Sequence, residues 1–176
     1  MRISGGQLRG REFTAPNNKR THPMGERVRG GLFNTLGELD GLTVLDAFAG
    51  SGALSFEAVS RGALKATAIE SDHQAQHTIK DNIASLGLSG QVQLIKANAG
   101  AWFYTSDEIY DLVLLDPPYD NTQANLLNDL AGRVKYGGIV VISLPPQVSL
   151  ALAANYHLIQ IKNYGDAAVH FFKREA

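Results

Sequence analysis

Apolar stretches of strand length alternate with helix-patterned stretches through most of this 176-residue chain, and that alternation predicts an α/β domain with a mostly parallel sheet of seven strands and helices on both faces. Two further observations support it. The first apolar run, Leu42 to Leu45, passes through an acid, Asp46, into a turn punctuated by Gly50 and Gly52, after which the pattern becomes helical. The tail holds two β-type runs around Asn163-Tyr164-Gly165-Asp166, a turn sequence suited to an antiparallel hairpin at the sheet edge.

The elements follow in order. Gly5-Gly6 and Gly10 punctuate short runs containing Ile3, Leu8 and Phe13, which predicts a small β-hairpin at the edge of the domain. Residues 16–23 are a polar loop bounded by prolines. Val28, Leu32, Phe33, Leu36 and Leu39 recur at helical spacing, with Gly30 and Gly31 weakening the middle. Helices are expected from Ser51, as cap, to Arg61, from about Asp72 to Leu86 with a stop at Gly87, and from Gln123 to Val134. Strands are expected over 63–69, 91–96, 110–115, 139–144 (entered through a Gly137-Gly138 turn), 156–162 and 168–172.

With 44% hydrophobic residues the chain supports one well-packed domain. No apolar run approaches the roughly 20 residues of a membrane span, and the polar, basic start lacks an apolar signal core, so the expected location is cytoplasmic. The absence of cysteine excludes disulfides, thiolate metal sites and cysteine nucleophiles. A monomer is expected, since no long apolar stripe is evident. Charge is uneven: residues 1–39 balance at +4 and the remainder at −5. A basic N-terminal extension over 1–39, ahead of a core over 40–176, suits contact with a polyanion, because Lys and Arg at phosphates supply most sequence-independent nucleic-acid affinity.

A strand-to-helix turn of this kind is where α/β sheets bind nucleotides, since glycines admit close backbone approach and the helix start offers free N–H groups. A dinucleotide fingerprint needs a third glycine and would set pyrophosphate against Asp46. An acid there suits a cationic or donor-rich group such as the sulfonium and amino groups of S-adenosylmethionine; a plain turn with a capping Asp is the alternative. Glu70, ending the second strand, sits where an acid accepts bonds from both ribose hydroxyls. Asn98, ending the third, offers an amide to an adenine edge. After the apolar fourth strand comes Asp116-Pro117-Pro118-Tyr119. Consecutive prolines fix φ and remove N–H donors, leaving a rigid turn lined by acceptors. Asp116 and the Pro117 carbonyl can therefore hold both hydrogens of an exocyclic NH₂ group, and Tyr119 can stack on the base.

Together DAFAGSG, Glu70 and DPPY resemble the motifs of Rossmann-like class I S-adenosylmethionine-dependent methyltransferases acting on amino groups. RISGGQLRGREF, THPMGERVRGGLFN and YGDAAVHFF resemble, more narrowly, the RsmD family, which methylates guanine N2 in 16S ribosomal RNA. The resemblance covers essentially the whole chain. It implies S-adenosylmethionine as cofactor, held by Asp46, Ala47, Phe48, Gly50, Ser51, Gly52, Glu70, Ser71, Asn98, Ala99 and Asp116. It implies Asp116, Pro117, Pro118 and Tyr119 as the catalytic turn, and Arg9, Arg11, His22, Arg27, Arg29 and Tyr119 toward RNA. It also implies 16S rRNA, a small ribosomal subunit or an assembly intermediate as partner, and no metal. His22, Met24 and Asn98 stand where the family usually has Arg, Thr and Asp. The same turn chemistry also serves adenine N6 and cytosine N4. Two rivals of different classes are a non-catalytic RNA-binding assembly protein and a nicotinamide-dependent reductase.

Overall fold

The structure is a computed structural model that describes residues 1–17 and 23–176. Its elements are α1 (Glu26–Leu36), β1 (Thr43–Asp46), α2 (Ala53–Ser60), β2 (Lys65–Glu70), α3 (His73–Leu86), β3 (Val92–Lys96), α4 (Ala99–Thr105), β4 (Tyr110–Leu115), α5 (Ala124–Ala131), β5 (Val134–Leu144), β6 (Tyr156–Tyr164) and β7 (Ala167–Arg174). The strands form one seven-stranded sheet in the order β3-β2-β1-β4-β5-β7-β6. Strands β1 to β5 run parallel and β7 lies antiparallel between β5 and β6, the class I methyltransferase arrangement.

The central strands are apolar throughout because both of their faces are covered. Along β4, Leu112 and Leu114 join the core under α1, α2 and α3, while Val113 and Leu115 join the core under α4 and α5. The same period of two carries Val44 and Leu45 of β1 to opposite faces.

Several boundaries differ from expectation. Helix α1 stops at Leu36 because Gly37 turns to a φ of 78°; Leu39 lies beyond the helix yet is still buried. Gly52, not Ser51, occupies the N-cap of α2, at a φ of 80°, and a Cβ there would collide with the Phe56 ring. The fifth helix ends at Ala131, and Val134 already belongs to β5. Gly137 and Gly138 do not lead into β5 but lie inside it, at an irregularity where the register with β4 shifts between Tyr110 and Leu112. Bulges and turns recruit the same residue, since both need positive φ or close backbone approach, and Gly137 has a φ of 79° while Gly138 abuts the Asp111 carbonyl.

The N-terminal hairpin closes through the antiparallel bridge of Arg2 with Glu12 and packs on the helix layer at the edge of the domain. Its turn bonds the end of α2, Leu8 N–H to Ser60 Oγ at 2.9 Å, and Thr14 exchanges two hydrogen bonds with the Asn82 side chain on α3. Phe13 meets Phe56 edge to face, with centroids 5.2 Å apart. Beneath it Glu57, fully buried, accepts from Ser4 N at 2.9 Å, Ser4 Oγ at 2.6 Å, Arg61 Nε at 3.0 Å and Arg29 Nε at 3.3 Å. Burial opposes its ionisation, but the Ser4 bonds and the two guanidinium groups outweigh that and hold Glu57 below the ordinary glutamate range.

Gly31 has a specific reason: a Cβ there would run into the Tyr164 hydroxyl, which lies against α1 from the end of β6. Gly31→Ala should therefore lower stability by about 1–3 kcal/mol, read as a lower midpoint in urea, even though alanine is the better helix former. Arg29→Ala, which leaves Glu57 buried without one of its cations, should cost about 3–5 kcal/mol in the same experiment.

Candidate active site

The carboxyl ends of β1, β2 and β4 bring three acids together. The pleat sends Asp46 to the face covered by α2, because Val44 two residues earlier lies there. Its Oδ2 accepts from Ser55 Oγ at 2.8 Å and Ser55 N at 3.2 Å, whereas its Oδ1 is buried with no hydrogen-bond partner. Burial is the largest influence on Asp46 and raises its pKa to about 7; the Ser55 bonds pull it down, and the charges of Asp116 and Glu70 push it up. Asp116 continues β4 past Leu115, and burial raises it to about 6, with Ser143 drawing it back.

Glu70 is aimed by two backbone donors. Its Oε2 accepts from Gly50 N and its Oε1 from Asp72 N, both at 2.7 Å. Gly50 presents that N–H from a φ of 55°. Each carboxylate oxygen accepts one of these bonds and has a second lone pair, so the pair of oxygens could accept from two adjacent ribose hydroxyls.

Around these acids Ala47, Ser51 and Ala99 are buried, Phe48 is half-buried and Ser71 is exposed. Asn98 departs from expectation. Its Oδ1 accepts from Gly100 N at 2.9 Å and Ala101 N at 3.3 Å, so it caps α4, a helix the sequence pattern does not reveal. With the oxygen committed, only its NH₂ donor is left for a ligand, and pairing through that oxygen with an adenine amino group is lost. Pro117 is buried and Pro118 exposed. Tyr119 is 39% exposed, and its hydroxyl lies 2.7 Å from Ser143 Oγ on β5. Ser143 escapes a reading of the sequence, because a serine near the end of an otherwise apolar strand gives no signal of its own. Asp166, in the β6–β7 turn, also faces Tyr119.

The basic residues separate. Arg29 is not available to RNA: it is 1% exposed, paired with Glu57, and donates to the Met24 and Arg2 carbonyls. Arg9 and Arg11 are exposed but sit with the hairpin turn at the C-terminal ends of α2 and α3, where Arg11 Nη2 donates to Ser85 O at 3.1 Å. Those helix ends face the amino-terminal side of the parallel strands, away from the acids. Arg27 is exposed on α1 and lines a cleft shared with Ser4, Gly31, Asn34 and Tyr164. His22 lies outside the described residues. No group of three or more metal-ligating side chains occurs among the described residues, and no helix there is long and apolar enough to cross a membrane.

The elevated pKa of Asp46 has a consequence for stability. Between about 4 and about 7 the folded chain holds a proton that the unfolded chain releases, so stability contributed by neutral Asp46 fades as pH rises through that window. Asp46→Asn keeps the shape without the charge. It should leave the unfolding midpoint near wild type at about pH 3, where Asp46 is protonated in both states, and raise stability at pH 8 by on the order of 4 kcal/mol.

Comparison with known proteins agrees with the geometry. A family model described as "Conserved hypothetical protein 95" matches residues 1–173. Ribosomal RNA small subunit methyltransferase D of Escherichia coli K12 is 34% identical over 181 residues, covering 100% of this chain and 91% of the relative. The protein of the same name from Haemophilus influenzae is 29% identical, with 98% and 93% covered. A solved structure from Escherichia coli matches with a TM-score of 0.90 at 31% identity, covering 100% of this chain and 98% of the other. SMU.776, solved in complex with S-adenosylhomocysteine, shares the fold alone, with a TM-score of 0.70 at 16% identity over 84% of this chain and 48% of its own. A family match over nearly the full length, joined to an identity of 34% with a relative covered almost end to end, places this chain in the Conserved hypothetical protein 95 family, the RsmD family of methyltransferases.

Proposed function

We propose that this protein transfers a methyl group from S-adenosylmethionine to the exocyclic N2 amine of a guanine in 16S ribosomal RNA of the small subunit. The observation that carries the reading is the Asp116-Pro117-Pro118-Tyr119 turn, rich in acceptors and free of proline N–H donors, at the strand end beside Asp46 and Glu70. The relatives named as small-subunit rRNA methyltransferases support the substrate class.

The donor set fits the cofactor. Three acids within electrostatic reach, one with a buried and unpartnered oxygen, suit a cationic ligand, and Glu70 has the free lone pairs for a ribose. Asp46, Phe48, Gly50 and Glu70 would hold it, with the Asn98 NH₂ toward the adenine. When bound, S-adenosylmethionine supplies a methyl group made electrophilic by its sulfonium.

The chain's own residues do the rest. The carboxylate of Asp116 and the carbonyl of Pro117 accept the two N–H bonds of the base amine. That arrangement favours a pyramidal nitrogen whose lone pair is no longer spread into the ring, and it stabilises the positive charge that develops on nitrogen. Tyr119 presents a ring face to a base taken out of its stack. As the N–C bond forms the amine loses one proton, for which ionised Asp116 is the base within reach. Holding both reactants in line can lower the barrier by roughly 7–11 kcal/mol without a covalent link to the protein. Within the extension ahead of the 40–176 core, exposed Arg27 on α1 is the basic side chain that would meet RNA phosphate.

Labelled methyl transfer to small subunits from cells lacking this protein, followed by nucleoside mass analysis, should yield N2-methylguanosine; absence of label in guanosine would overturn the reading. Asp116→Ala should lower turnover by about 10²- to 10³-fold while cofactor affinity persists. Because an acceptor must be ionised, kcat/KM should climb as pH rises through about 6, the elevated pKa of Asp116.

A further inference from the structure

Among polar side chains that the methyl-transfer reading does not use, Ser143 stands out. It is 2% exposed and sits on β5 among Val141, Ile142 and Leu144. A hydroxyl so placed needs a partner, and it has one in the Tyr119 hydroxyl at 2.7 Å. The register supplies a second neighbour. Leu115 of β4 pairs with Ile142 of β5, so the next step sets Asp116 beside Ser143, both on the α1 side of the sheet. Ser143 is also the side chain that draws the Asp116 pKa back against burial.

A serine hydroxyl has one hydrogen to donate and two lone pairs. If that hydrogen goes to the Asp116 carboxylate, the Tyr119 hydroxyl must donate to Ser143 Oγ. The result is a directed chain, Tyr119 O–H to Ser143 O–H to Asp116. Its two ends are the stacking ring and the amine acceptor, which lie on one short loop and would otherwise adjust independently.

We infer that Ser143 is a positioning residue that locks the Tyr119 ring and the Asp116 carboxylate into one geometry, so that the stacked base presents its amine to the acceptor. This rests on the methyl-transfer reading above. Ser143 touches neither cofactor nor base in that reading and acts through the two residues that do. The charged and titratable groups facing this chain are Asp46 from β1, Glu70 from β2 beyond it, and Asp166 from the β6–β7 turn. All three are acids, so Ser143 is the neutral donor among them. Arg29 of α1 does not reach it, being committed to Glu57.

The test is a double-mutant cycle on transfer to small subunits with Ser143→Ala, Tyr119→Phe and both, together with Ser143→Thr. Each single change to Ala or Phe should lower kcat/KM by about tenfold, the value of one hydrogen bond, and the double should be no worse than either single. Ser143→Thr keeps the hydroxyl and should recover most of the loss. The acid limb of the pH profile should move to higher pH in Ser143→Ala and stay in place in Tyr119→Phe, a split that general loosening of the loop would not produce. Carboxyl NMR titration of Asp116 in the free protein reads the same shift without any RNA. It therefore decides the inference even if wild type proves inactive on subunits, an outcome that would count against the methyl-transfer reading alone. Tyr119→Phe alters a partly exposed side chain and keeps the test open if Ser143→Ala does not fold. Single losses within twofold of wild type, losses that multiply in the double, or an Asp116 titration that Ser143→Ala leaves where it is in wild type would overturn it.

Discussion

A carboxylate sealed away from water is the constraint on which the N-terminal third depends. Glu57 projects from α2 into a space that only residues outside the sheet core fill: the Ser4 amide and hydroxyl, the Arg29 side chain of α1, and Arg61 one turn on. A buried charge is tolerable only while its hydrogen-bond partners stay in place. The hairpin and α1 are thereby obliged to dock on α2. Arg29 extends the effect by holding the Arg2 and Met24 carbonyls with its remaining nitrogens, which fixes the entry into α1. Docking of α1 then determines what roofs the sheet face that carries Asp46 and Asp116.

On that face the energetics run the other way. Asp46 is as buried as Glu57 but lacks a cation, has two acids for neighbours and leaves one oxygen unpartnered. The two carboxylates lie on the same side of the sheet yet shift in opposite directions: at Asp46 burial prevails, with Asp116 and Glu70 adding to it, whereas at Glu57 the Ser4 bonds and the two guanidinium groups outweigh burial. Glu57 thus holds the fold, whereas the unfavourable cluster at the strand ends is left for a ligand to relieve. Buried acids perturbed together in this way mark the strand ends as the candidate functional site.

Much of this is legible in the residues, and the remainder is hidden for identifiable reasons. The five parallel strands, and the acids that close β1, β2 and β4, are legible because a strand covered on both faces is a short unbroken apolar run. The α4 segment AGAWFYT is not, since seven residues with a glycine and three aromatics carry no helical period, and its start is set by Asn98, which reads equally well as a loop residue. Arg27 and Arg29 differ by two positions and count alike in any charge balance, yet one helix face meets water and the other meets Glu57. Likewise Glu57 and Arg61, four apart on a helix, have the spacing of an ordinary surface pair. Gly137-Gly138 reads as a turn because nothing local separates a turn from a bulge.

The antiparallel edge turns out to be part of the site rather than its border. Strand β7 enters beside β5 with Val169 opposite Ser143, the residue that holds Tyr119. The β6–β7 turn brings Asp166 toward the same tyrosine and sets Tyr164 against Gly31 of α1. A single hairpin therefore touches the helix that Glu57 anchors and the loop that ends β4. Gly31, a weakness when α1 is considered alone, is what allows that contact, because any side chain there would force Tyr164 away. The cost in helix propensity, about 1 kcal/mol, is small against what the contact secures. It joins α1 to the loop after β4 through one pair of strands, so that helix and the Asp116–Tyr119 turn are both met by the same hairpin.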